Sequence, residues 1–116
     1  MNLTRFEDAP EYFPPNHFSM RCVRLQGHEA GPSDAVWLGV SMIEPGGYTT
    51  SDASPVEKHY VVLEGEVVIV TDEGEAVMQA FDSCRLGPGE RRALHNRSAS
   101  SAKILLVMPL LRPEHA

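Results

Sequence analysis

The stretch SDASPVEKHYVVLEGEV, Ser51 to Val67, gathers side chains that can move protons or hold ions: Asp52, Ser54, Glu57, Lys58, His59 and Tyr60. A second run, RRALHN, adds Arg92, His95 and Asn96. Side chains alternate between the two faces of a strand. A face that takes Lys58 therefore also takes Tyr60 and Val62, and one that takes Arg92 takes Leu94 and Asn96. His59 and His95 then fall on the opposite faces and read as surface or interface histidines. A desolvated lysine beside an arginine has its pKa pushed down, which makes it a base or a Schiff-base amine near neutral pH. A buried aspartate can move a proton once burial raises its pKa. An arginine fork grips a carboxylate with two parallel hydrogen bonds.

The elements that must position these groups read as strands. MRCVRLQG alternates apolar and polar residues, and DAVWLGVSMIEPGG is apolar on both faces and is expected to end at a Pro45-Gly46-Gly47 turn. KHYVVLEGEVVIVTDEGEAVMQA divides into three strands at Glu64-Gly65-Glu66 and Asp72-Glu73-Gly74. DSCRLGPGE, RRALHNRS and AKILLVMPLL complete the set. No segment sustains a helical apolar period, and strands every eight to twelve residues predict an all-β sandwich or small barrel. Apolarity on both faces of VVLEGEVVIV and KILLVMPLL points to a second sheet or a subunit interface. Residues 1–20 hold three prolines among aromatics in APEYFPPNHF and are expected to form an extended arm packed on the barrel or on a second subunit. Residues 21–111 are assigned to the barrel and 112–116 to a polar tail.

The chain of 116 residues, 42% of them apolar, suits one domain with one core. Its formal net charge of −6 argues against a nucleic-acid partner. The N-terminal stretch does not read as a signal peptide and no apolar run is long enough to span a bilayer, so a cytoplasmic protein without a membrane partner is expected. The Asn96-Arg97-Ser98 sequon carries no meaning without secretion. Cys22 and Cys84 form no C-x-x-C pair and read as free buried thiols.

Two motifs give the sequence a resemblance to the cupin family of double-sheet jelly-roll barrels (double-stranded β-helices). In GGYTTSDASPVEKHYVVLEG, Gly46 and Gly65 match the outer glycines of the family's first motif. In FDSCRLGPGERRALHN, Asp82, Gly89 and Asn96 match the second, while Phe81 stands for its first glycine and Gly87 for its proline. The resemblance covers residues 36 to 109 and implies the fold. It also implies that the four usual metal-ligand positions fall on Asp52, Ser54, Lys58 and Arg92. Lysine and arginine are cations and repel a metal ion, so no metal or other cofactor is expected.

Asp52, Lys58 and Arg92 then have two readings. In one, they form a salt-bridge cluster that fills the hole left by the metal. In the other, they form an anion pocket with Arg92, Ser54 and Asn96 binding a small organic acid. Lys58, Asp52 and Tyr60 would then be catalytic in metal-independent isomerisation, cyclisation or β-elimination. Tyr60 as a packing aromatic is the simpler alternative for that residue. A non-enzymatic sensing module and a metal-dependent enzyme of dioxygenase type, with ligands relocated to Asp52, Glu57, His59 or His95, remain open at this point. His17 reads as an exposed arm histidine, with reach over the barrel mouth as the alternative. Trp37 and Met42 read as core or interface. A homodimer is expected from the two-faced strands and the aromatic arm.

Overall fold

The computed structural model describes residues 1–111, and the expected polar tail, 112–116, lies outside the described residues. Ten strands follow in order: β1 (Glu11–Tyr12), β2 (His17–Gln26), β3 (Val36–Thr49), β4 (Asp52–Ala53), β5 (Lys58–Glu64), β6 (Glu66–Thr71), β7 (Gly74–Gln79), β8 (Ser83–Leu86), β9 (Arg91–His95) and β10 (Ala102–Pro109). All pair antiparallel, in two layers that share β3. One layer runs β1-β2-β3-β10-β5-β8, and the other runs β7-β6-β9 with β4 on the far edge of β9. The result is a nearly closed jelly-roll barrel.

The expected turn at Pro45-Gly46-Gly47 is not a turn. β3 continues through it and bends from one layer into the other, so that Tyr48 pairs with His95 of β9. Gly46 takes φ +82°, a conformation glycine adopts without penalty, and its amide donates to Asn96 O at 2.8 Å. A Cβ on Gly47 would lie 2.7 Å from Ser19 O, so only glycine fits the inside of the bend. A second crossing lies at Gly65, where β5 leaves the first layer and β6 enters the second; Gly65 has φ +79°. Phe81, in place of a family glycine, keeps the left-handed backbone at φ +71° with its ring exposed.

The arm is shorter than its expected limit at residue 20. β2 starts at His17, and β1 pairs with β2 through Glu11↔Val23 and Tyr12↔Cys22. The arm packs on its own barrel because Tyr12 meets Trp37 edge-on, with ring centroids 5.8 Å apart. Between the layers, Ile43, Val62, Val67, Ile69, Leu94 and Ile104 form the core with Tyr60 and Met78. The outer face of the first layer carries an apolar groove of about 450 Å³ lined by Phe6, Leu25, Val40, Met42 and Leu63. Strands of this layer are therefore apolar on both faces. No helix among the described residues is long and apolar enough to cross a membrane.

Candidate functional site

A cavity of about 530 Å³ opens where the arm crosses the barrel. β5 supplies Lys58, β9 supplies Arg92, and β4 with the following loop supplies Asp52 and Ser54. The arm and the start of β2 contribute Tyr12, Phe13 and His17; Arg24, Trp37, Leu106 and Met108 complete the walls. Strand alternation places the cations. Lys58, Tyr60 and Val62 are buried while His59 is exposed, and Arg92, Leu94 and Asn96 are buried while His95 is only half-buried.

Arg92 is 7% exposed and fixed by three acceptors. Its Nε donates to Tyr60 Oη at 2.9 Å, and its Nη1 to Thr49 Oγ1 at 3.3 Å and Thr50 O at 3.5 Å. Thr49 Oγ1 is itself anchored by the Leu94 amide at 3.0 Å. Burial raises the Tyr60 hydroxyl's pKa, with Arg92 opposing that rise, so the phenol stays protonated beside the guanidinium.

Lys58 is 6% exposed and has neither a hydrogen bond nor an ion pair among the described residues. Its ammonium lies 5.9 Å from the centroid of the Tyr60 ring. Among the described residues no fully buried side-chain nitrogen or oxygen lacks a partner, so the free donors of Lys58 open onto the cavity it lines. Burial first, then the Arg92 charge, push its pKa down to about 8, against a smaller upward pull from Asp52.

Asp52 is exposed at the cavity rim, and its Oδ1 accepts the Ala53 amide at 2.8 Å. It makes no ion pair with Lys58 or Arg92, so the three do not form the closed salt-bridge cluster that one reading expected. Local hydrogen bonding explains this. Asp52 and Arg92 are partners across β4 and β9 and leave the same face, but the exposed Asp52 carboxylate accepts the Ala53 amide while the buried Arg92 guanidinium is held by Tyr60 and Thr49. Ser54 lies half-buried on the wall, where its hydroxyl accepts the Val56 amide at 3.2 Å.

Asn96 departs from its expected ligand-binding place. It does not line the cavity. Its Nδ2 donates to Ile43 O at 2.9 Å and Ser100 O at 2.8 Å, and its Oδ1 accepts from Ser98 N at 3.0 Å and Ser98 Oγ at 2.7 Å. The bond to Ile43 O ties the β9–β10 connection to β3, and the other three fix the turn of that connection.

The frame matches a known family over most of its length. The family model described as Cupin domain matches residues 39–108. The chain belongs to the cupin family. A Mycobacterium tuberculosis protein named Beta-D-galactosidase Rv1717 is 41% identical over 108 residues, covering 93% of each chain. Among solved structures, the polyketide cyclase RemF from Streptomyces resistomycificus superposes with a TM-score of 0.85 at 20% identity, covering 97% of this chain and 82% of that one. An RmlC-like cupin from Shewanella frigidimarina gives a TM-score of 0.78 at 13% identity over 100% of this chain and 96% of that one. These two structures share the fold.

Cupin frames imply a metal at the positions occupied here by Asp52, Ser54, Lys58 and Arg92. This donor set does not fit a divalent ion, because two of the four are cations and one carboxylate is turned to the rim. The relocated-ligand set is not assembled either. His59 Nε2 pairs with Glu57 at 3.1 Å on the outer surface, where Glu57 also takes Arg85. His95 stacks on Tyr48 with centroids 5.8 Å apart. No group of three His, Cys, Asp or Glu residues able to hold a metal occurs among the described residues. Cys22 and Cys84 are free thiols whose pKa values burial raises, which makes them poor nucleophiles.

Sequence reasoning missed most of the wall. Arg24 stacks against Tyr12 and Trp37, 4.0 and 4.3 Å from their ring centroids, and is held by Glu29 at 2.7 Å. The usable signal was the aromatic density of the arm, since exposed aromatics on a proline-rich segment need a surface to cover.

Proposed function

We propose that this cupin is a small-molecule enzyme with a metal-independent cavity that binds a carboxylate-bearing metabolite for acid–base chemistry: isomerisation, cyclisation or elimination. The observation that carries this reading is the pair Lys58 and Arg92, both buried on the cavity wall and without an ion pair to any carboxylate among the described residues. Two unneutralised cations in a low-dielectric wall favour an anionic ligand. Arg92 is held in place before any ligand arrives, which lowers the ordering cost of binding. Lys58, poised near pH 8, can donate or accept a proton. The volume suits a compact organic molecule.

A second reading is β-galactoside hydrolysis, favoured by the 41% identity with the Mycobacterium tuberculosis protein of that name. Glycoside hydrolysis ordinarily uses two carboxyl groups. Asp52 is the one carboxylate lining the cavity among the described residues, so Lys58 or His17 would have to serve as the acid.

Thermal-shift and calorimetric titrations with pyruvate, 2-oxoglutarate, citrate and galacturonate, with galactose as the neutral control, test the first reading. Acids should bind and Arg92→Gln should abolish the effect. Hydrolysis of p-nitrophenyl β-D-galactoside with no acid bound would select the second. Binding without turnover of any bound acid would leave a sensing module. Stoichiometric metal that resists chelators would overturn metal independence.

We also infer that a second copy of the chain covers the outer groove around Val40, Met42 and Leu63, whose rim carries both charge signs in Arg21, Lys103, Glu11 and Glu64. Sedimentation of the wild type and of Met42→Glu tests this. A monomeric wild type would overturn it.

A further inference from the structure

His17 begins β2, opposite Thr49 of β3, immediately after Pro14-Pro15-Asn16. Asn16 takes φ +60° and its carbonyl accepts the Thr50 amide at 3.1 Å, which pins the turn. The turn brings Pro15 O to within 2.7 Å of His17 Nδ1. A carbonyl only accepts, so Nδ1 carries the proton and Nε2 is left with a bare lone pair. The ring lines the cavity, and Nε2 has no partner among the described residues.

Resting on the acid–base reading above, we propose that His17 Nε2 is the general base of this cavity, acting on a substrate whose carboxylate is held by Arg92 and Lys58. The charged groups that face the ring are Arg92, Lys58 and Asp52. Burial, followed by the two cations, lowers the imidazole's pKa; the Pro15 hydrogen bond and Asp52 oppose this, and the ring stays neutral at physiological pH. In the step, Nε2 takes a proton from the carbon beside a substrate carbonyl. The C–H electron pair becomes a C=C bond, and the carbonyl electrons move to oxygen to give an enolate that the Lys58 ammonium stabilises. The imidazolium then returns a proton to the same carbon and the carbonyl reforms. No oxidant, reductant or co-reactant enters the balance.

The probe is 2-oxoglutarate, which combines two carboxylates with hydrogens beside a carbonyl. Proton NMR in D2O follows loss of its C3 hydrogens, and calorimetry follows its binding. Wild-type protein should accelerate exchange, with a rate that falls as pH drops through the His17 pKa. His17→Gln should slow exchange by about 100-fold or more while the Kd moves less than about threefold. Binding with exchange unchanged in His17→Gln overturns the base assignment and leaves the anion pocket standing. Failure of 2-oxoglutarate to bind counts against the pocket instead. In that case long-range 1H–15N NMR of the free protein decides His17. A ring protonated on Nδ1 at about pH 7.5 supports the base, and one protonated on Nε2 overturns it.

Discussion

Asp52 and Arg92 face each other as Cα partners across β4 and β9, yet no ion pair joins them. The exposed carboxylate accepts the Ala53 amide, and the buried guanidinium donates to Tyr60 and Thr49. The register puts opposite charges side by side on one face, and these local hydrogen bonds keep them apart. This leaves the charge of Arg92 available to whatever enters the cavity.

Asp52→Asn should therefore leave stability within about 0.5 kcal/mol of the wild type, as for an exposed residue without an ion pair. Affinity for 2-oxoglutarate should rise a few-fold, since a negative charge at the rim is removed. Thermal melts and calorimetric titration check both. A large loss of stability would restore the salt-bridge reading.

Tyr60→Phe should destabilise the fold by about 1–3 kcal/mol, because the Arg92 Nε donor loses its acceptor inside the barrel. The double variant Tyr60→Phe with Arg92→Leu should recover part of that cost, since neither partner is then left unpaired. Urea unfolding of the two single variants and the double closes the cycle.

Lys58→Met should stabilise the protein at neutral pH, and the gain should depend on pH with a defined sign. The folded pKa is depressed from 10.5 to about 8. Below about 8 both states carry the proton, and the cost of burying the ammonium is fully present. As pH rises from about 8 towards 10.5 the unfolded chain holds more protons than the folded one, so wild-type stability increases. The advantage of Lys58→Met is about 1–3 kcal/mol at pH 7 and should fade across that window. Denaturant titrations at the two ends measure it.

Asn96→Ala should cost about 2–4 kcal/mol, because it removes four hydrogen bonds, one tying the β9–β10 connection to β3 and three fixing the turn of that connection. Affinity of the surviving folded fraction for organic acids should be unchanged. A variant that folds normally but no longer binds would return Asn96 to the ligand site.

Parts of the site were legible in the sequence because strand alternation is a local rule. Once KHYVVLEG is a strand, a buried Val62 carries Tyr60 and Lys58 inward and His59 outward. The same rule sends Arg92 in and His95 out. It failed for Asn96, which is buried but lies four residues beyond Arg92, just past the end of β9, and meets backbone rather than cavity. It also failed at Pro45-Gly46-Gly47, where the residue types that make a turn instead bend a continuous strand between layers. Reach of His17 over the barrel mouth was only the alternative reading, and Arg24 and Trp37 were not assigned to the cavity, because its wall exists only once β2 and β3 have paired and the arm lies beside them.

By itself the sequence determined most of the strand order, the cupin frame, and which residues share a strand face with Lys58 and with Arg92. These follow from side-chain type and a period of two, which need no knowledge of neighbours. Only the tertiary structure decided that Asp52 leaves both cations unneutralised, that Asn96 serves the backbone, and that the Pro15 carbonyl fixes the His17 tautomer. Each of those depends on the distance and direction between groups far apart in the chain, and a carboxylate at hydrogen-bonding distance and one turned to solvent look the same in a sequence.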